Sequence, residues 1–153
     1  MGEKELTDEQ KYLDTYELRV KYFPIEGQDW SSRLTADNLE NAVIADNGST
    51  YTITLDIKDD EPSGDTVVGY GNHGKAFSLI LPTLITDNAG AATKLLSDVK
   101  TGHSDGNIVA VIDKATGNLI KADYYFVCIM QLTALSKNVD YRFGLLKKFS
   151  IEW

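Results

Sequence analysis

From Ile120 to Ala134 every even-numbered residue is apolar: Ile120, Ala122, Tyr124, Phe126, Cys128, Met130, Leu132 and Ala134. Lys121, Asp123, Gln131 and Thr133 stand between them. A period of two sends successive side chains to opposite faces of an extended chain, so this run predicts a β-strand with one face toward a core. Its register is fixed, because a slip by one residue would bury Lys121 and Asp123. After Ser136-Lys137-Asn138 the pattern resumes. Val139, Tyr141, Phe143, Leu145, Phe149, Ile151 and Trp153 alternate with Asp140, Arg142, Lys148, Ser150 and Glu152. Upstream, residues 108–112 form a continuous apolar strand, and Lys114-Ala115-Thr116-Gly117-Asn118 supplies a turn with Gly where positive φ is needed. Three sequential strands with short turns predict an antiparallel meander. Phe126, Cys128, Phe143 and Phe149 are its expected core residues.

The rest of the chain is less uniform. Gly2 to Gln10 are polar and charged and read, within residues 1–12, as a loose lead-in or a short helical turn. Tyr16, Leu18, Val20 and Tyr22 alternate with Glu17, Arg19 and Lys21, which predicts a half-buried strand ended by Pro24 and Gly27. Thr35 is a candidate cap for a short helix through Leu39 and Val43; the rival reading makes 42–46 a strand and Asn47-Gly48-Ser49 a hairpin turn. Tyr51, Ile53, Leu55 and Ile57 alternate with Thr52, Thr54, Asp56 and Lys58, a strand by the same criterion. Residues 59–74 carry three Asp, one Glu, one Pro and four Gly and read as a long exposed loop, interrupted at most by a short strand at 66–68. Residues 76–85 are apolar and fit strand or helix, with Pro82 arguing against a central strand. Ala89, Ala92, Leu96 and Val99 recur at helical spacing after a cap at Asp87, so one helix is expected there, as the cover for the apolar face of the sheet. The expected class is α+β: a curved antiparallel sheet covered by one helix, in a single domain of 153 residues.

Charge narrows the partners. Fifteen Lys and Arg stand against 23 Asp and Glu, a formal net charge of −8. Such a surface repels phosphate backbones and anionic headgroups, so neither nucleic acid nor a membrane surface is an expected partner. No stretch approaches the ~18 apolar residues of a membrane span. Met1-Gly2-Glu3-Lys4 carries no secretory leader; a native start and a chain whose leader has been removed are equal readings. Cys128 is the one cysteine, which precludes an intrachain disulfide and is too little for a zinc site. It reads as a buried, inert thiol.

Several motifs imitate chemistry. Gly69-Tyr70-Gly71-Asn72-His73-Gly74-Lys75-Ala76 contains G-x-G-x-x-G and approaches the phosphate loop G-x-x-x-x-G-K-[ST]. Ala76 lacks the hydroxyl that would hold magnesium, Pro82 would break the following helix, and Asp113 opens a hairpin rather than a crossover. In Asp59-Asp60-Glu61-Pro62-Ser63-Gly64-Asp65, a calcium loop counted from Asp59 has Gly64 at position six but Tyr70 where the bidentate Glu belongs. His103-Ser104-Asp105 holds the three triad residue types, but adjacent residues cannot converge on one another. His73 and His103 fall in predicted loops and read as exposed. No catalytic or metal-binding residue is expected, nor any cofactor.

The segment Ile112-Asp113-Lys114-Ala115-Thr116-Gly117-Asn118-Leu119-Ile120-Lys121-Ala122-Asp123-Tyr124-Tyr125 resembles a hairpin of small β-rich domains in secreted Gram-positive bacterial lipoproteins and cell-surface proteins. There an I-D-K-x-T-G turn joins two long strands of a curved sheet. The resemblance covers about the last fifty residues and brings no functional residue with it. It implies an extracytoplasmic setting. The expected function is a non-enzymatic binding or structural module with a protein partner. The alternatives are a carrier of a small apolar ligand between sheet and helix, and an enzyme using His73 or His103.

Overall fold

A computed structural model describes residues 33–67 and 69–150. The lead-in, the strand expected at 16–22 and the aromatic residues Trp30 and Trp153 lie outside the described residues. Among the described residues six strands form one antiparallel sheet: β1 (Leu39–Asp46), β2 (Thr50–Ile57), β3 (Asp60–Ser63), β4 (Leu96–Asp113), β5 (Leu119–Ala134) and β6 (Lys137–Ser150). The order is β1-β2-β4-β5-β6, with β3 beside β4 beyond the end of β2. The pairs β1–β2, β4–β5 and β5–β6 are consecutive in sequence, whereas β2 pairs with β4 across β3 and the connection that follows it.

The turns explain the register. Gly48 takes φ +84° at the β1–β2 hairpin, and Asn47 N–H donates to Thr50 O at 2.9 Å. Positive φ at the first of two turn residues is the hairpin geometry that matches strand twist. The strand reading of 42–46 thus prevails over the helix. Thr35 starts only a 3₁₀ turn, Ala36–Asn38, in which Asn38 Oδ1 accepts the Thr35 N–H at 3.0 Å. Between β4 and β5 the Asp113 carboxylate accepts both Thr116 N–H and Thr116 Oγ1–H at 2.8 Å. Leu135 and Ser136, both at positive φ, turn β5 into β6 in two residues.

The alternation reads out as drawn from the sequence on β5. Ala122, Phe126 and Cys128 are buried, while Lys121 and Tyr125 face outward. Phe143 and Phe149, however, are only half-buried. They stand on β6, which has a described sheet neighbour on one side only.

The helix differs from expectation. The one α-helix among the described residues, α1, spans Pro82–Asn88, followed by a 3₁₀ stretch Gly90–Leu95. Pro82 begins it, at the first turn, where proline's missing N–H has no partner to lose. Leu96 and Ser97, read as helix from spacing, pair instead with Ala134 and Thr133 of β5. A seven-residue helix has little intrinsic stability, and cross-strand pairing wins the following residues. Nor does α1 cover the core. Ile57, Ile108 and Phe126 of the sheet pack with Ala76 and Phe77, so the cover is the glycine-rich segment. The strand of the 59–74 region is β3; of the stretch expected at 66–68, Thr66 and Val67 lie in no strand and Val68 is outside the described residues.

Among the described residues Phe126 is the largest fully buried side chain, and it touches the rings of Phe77, His73 and His103. Phe126→Ala is expected to cost about 3–5 kcal/mol in denaturant unfolding, and Tyr125→Ala, on the other face, well under half of that. Equal losses would contradict the assigned faces.

Candidate functional site

At the end of β2 the sheet is interrupted. Ile57 pairs with Gly106 and Asp60 with His103, so Lys58 and Asp59 leave the ladder between them. On the other side of β4, Ser104 pairs with Val127 and Asn107 with Tyr125, which leaves Asp105 and Gly106 together opposite Phe126. Asp105 adopts φ +55°. Two residues opposite one make a β-bulge, which kinks the strand and re-aims its neighbours. Asp59 Oδ1 accepts the Asp105 N–H at 3.1 Å and ties the two irregularities together.

The bulge makes room for His73. Its Nδ1–H donates to Asp60 Oδ2 at 2.9 Å. The same carboxylate accepts the His73 N–H at 2.8 Å, the Asn72 N–H at 2.7 Å and the Asn72 Nδ2–H at 3.0 Å. Asn72 is itself oriented by Asn38, whose Nδ2–H donates to Asn72 Oδ1 at 3.0 Å. Gly71 takes φ +67°, and a Cβ there would fall 2.7 Å from the carboxylate; only glycine admits so close an approach. The segment that imitates a phosphate loop does cradle an anion, but the anion is Asp60. Successive N–H groups converge on it as they would on a phosphate.

His73 is fully buried, and His103 is 3% exposed. Both were expected in exposed loops; His103 lies in β4 and His73 opens a 3₁₀ turn, His73–Lys75. Their rings stand 5.9 Å apart. Neither Nε2 has a hydrogen-bond partner among the described residues. His73 Nε2 lies against the Cα of Gly106, where any Cβ would overlap it.

Electrostatics follow from this closure. Burial works to raise the Asp60 pKa, but the His73 ring donor, the Asn72 and His73 N–H groups and the His73 charge together hold it below the usual carboxylate value. His103 is pushed down to about 4, first by desolvation and then by His73, against a partial pull from Asp60. It is therefore neutral near pH 7. Cys128, its partner in the β4–β5 ladder, is raised to about 11 by burial, a poor nucleophile.

The other sequence candidates do not meet. Ser104 Oγ–H donates to Asp105 Oδ2 at 3.0 Å rather than to a histidine. Asp65 Oδ1 accepts the Val67 N–H at 2.9 Å, so the acidic run caps backbone groups in separate directions. Among the described residues no group of three or more His, Cys, Asp or Glu is placed to hold a metal ion. A cleft of about 320 Å³ opens between β3 and the bulge, lined by Asp59, Glu61, Asp105, Gln131 and Arg142. The His103 ring belongs to the opposite face, with Cys128 and Phe126. Sequence reasoning missed the Asp60–His73 pair because 13 residues separate its members and no local period links them. The nearest signal was Gly71 before Asn72 and His73, which has the form of an anion cradle without naming its occupant.

No protein-family model, no curated protein and no solved structure matches the chain.

Two outcomes follow. Gly106→Ala should destabilise the fold by about 1–3 kcal/mol through overlap with His73. In the His73→Ala background it should cost far less, and additive losses in a double-mutant cycle would disprove the contact. Magnesium-ATP titrated calorimetrically should show no binding at 69–75, since Asp60 holds the N–H groups. Micromolar binding that Lys75→Ala abolishes would show otherwise.

Proposed function

We propose that the chain is a non-enzymatic binding or structural module of an extracytoplasmic bacterial protein. The observation that carries this reading is the use made of the two histidines. His73, bonded to Asp60, fastens a loop to the sheet, His103 packs beside its ring, and both are closed to solvent, where general acid–base work on a substrate has no access. The extracytoplasmic setting rests on the likeness of residues 112–125 to the surface-protein hairpin. The α+β class belongs to the same proposal, with residues 69–77 over one face of the sheet.

The binding surface in this reading is the opposite face of the sheet. Register places Asn41, Asp56, Asn107, Tyr125 and Leu146 in one row across five strands. Asn107 and Asn41 both donate to the Asp56 carboxylate, at 2.7 and 3.1 Å. Tyr125 lies across Gly144 and stays 38% exposed, and Leu146 is 57% exposed. An amphipathic tyrosine beside an apolar side chain and fixed polar groups is the composition of contact surfaces. The loop at 59–74 offers less, because His73, Gly74 and Gly69 are buried and Asp60 is occupied. The clefts at Asp59–Arg142 and at Asp98–Asp140 have polar rims, which does not favour the apolar carrier.

Binding of the purified chain to Gram-positive cell-wall and secreted-protein fractions tests the proposal. Tyr125→Ala with Leu146→Ser should lower binding at least about tenfold, as loss of an aromatic anchor does, without changing the melting temperature by more than a few degrees. His103→Gln, assayed where it remains folded, should leave binding intact. A hydrolytic turnover that disappears in His103→Gln would replace the module by an enzyme.

A further inference from the structure

Among the described residues the strand order ends in β1 on one side and β6 on the other, and the two edges are built differently. β6 carries Lys137, Arg142, Lys147 and Lys148, charges of the kind that keep an edge from pairing, and Lys147 and Phe149 have further partners. β1 pairs with β2 alone among the described residues, and seven of its eight residues are exposed. From Asn41 to Ala45 it holds no charge, proline or glycine. Its register irregularity, between Leu39 and Asn41, precedes this stretch. Asp46, the charge that closes the stretch, is paired with Lys114 Nζ at 2.8 Å. An edge of this composition is a template for another strand.

The β1–β2 hairpin sets which backbone groups the edge offers. Asn47 N–H bonds to Thr50 O, so these two residues are a hydrogen-bonded pair. In an antiparallel ladder such pairs alternate with non-bonded ones. Ala45 with Thr52 and Val43 with Thr54 are then bonded pairs, whereas Ala42, Ile44 and Asp46 aim their N–H and C=O groups away from β2. These three share the apolar face of the sheet. Register runs Ile44, Ile53, Ala110, Ala122 and Phe149 in one row, and Ile44, at its end, is 67% exposed.

We propose that the partner of this edge is a second copy of the chain, joined antiparallel through β1 with Ile44 opposite Ile44. In this register every edge-directed group of both copies is used: Ala42 bonds with Asp46 of the second copy, Ile44 with Ile44, and Asp46 with Ala42. Val43 meets Ala45 on the other face, and the two Asp46 carboxylates stay apart. Centring the joint on Val43 sets Asp46 against the irregularity at Glu40, and centring it on Ala45 sets Ala42 against the turn at Gly48. The contact is two-fold and self-complementary, so it closes at two copies. It extends the apolar row from Ile53 and Ile44 of one copy to Ile44 and Ile53 of the other. One short strand buries less than the roughly 1,200 Å² of stable complexes, so the pairing is weak and depends on concentration.

Sedimentation equilibrium and amide hydrogen exchange of the intact chain, from micromolar to millimolar concentration, test the proposal. The mass should rise from one chain to two and stop there. The amides of Val43 and Ala45, bonded to β2, should be protected throughout; those of Ala42, Ile44 and Asp46 should be protected only in the dimer. Ile44→Lys sets two like charges face to face and should weaken association at least about tenfold, with the melting temperature unchanged within a few degrees. Ala42→Pro removes one edge-directed N–H, which an edge strand tolerates, and should act in the same direction. Ile44→Lys mixed with Ile44→Glu should pair again, because residue 44 faces itself. The proposal fails if the chain is monomeric at millimolar concentration, or if the mass grows beyond two copies, as a head-to-tail joint of β1 to β6 would make it. It fails equally if the Ala42, Ile44 and Asp46 amides are protected in the monomer, which would give the edge to another segment of this chain. Ile44→Lys pairing as the unaltered chain does, or a lysine–glutamate mixture that stays monomeric, would also overturn it.

Discussion

The carboxylate of Asp60 accepts four hydrogen bonds from two consecutive residues, and much of the structure is arranged to let it do so. β2 must end and β3 begin at Lys58–Asp59 so that Asp60 faces His103. β4 must bulge at Asp105 and carry glycine at 106 so that His73 fits beneath the loop. Gly71 must lack a side chain so that the Asn72 N–H reaches the oxygen. An ionised carboxylate is costly to bury alone, and hydrogen bonds to the charged form are what offset that cost. Removing any one donor leaves the others bearing more of it.

This arrangement divides the molecule into a frame and a cover. The frame joins two local units, the β1–β2 hairpin and the β4–β5–β6 meander, through the long-range pairing of β2 with β4. The cover, residues 69–77, holds one 3₁₀ turn and meets the frame at Asp60 and through Ala76 and Phe77. That asymmetry gives the two faces of the sheet different characters. The covered face is apolar and holds the histidines. The other carries a continuous polar row from Asn41 to Asn107 that runs into Tyr125 and Leu146.

The alternation of residues 120–134 determined, without help from the rest of the chain, a long strand and which of its faces is buried, because side-chain direction in a strand depends only on parity. Asn47-Gly48 and Asp113-Lys114-Ala115-Thr116-Gly117 likewise determined their turns, since positive φ and side-chain caps act over four or five residues. Where the signal was equally local but weak, at Leu96 and Ser97, pairing with Ala134 and Thr133 overrode helical spacing. Asp60, His73, His103 and Gly106 carry no mark in the sequence that joins them. Their meeting depends on the register of β3 against β4 and on a bulge opposite Phe126, and strand register over such separations is decided only when the whole sheet is assembled.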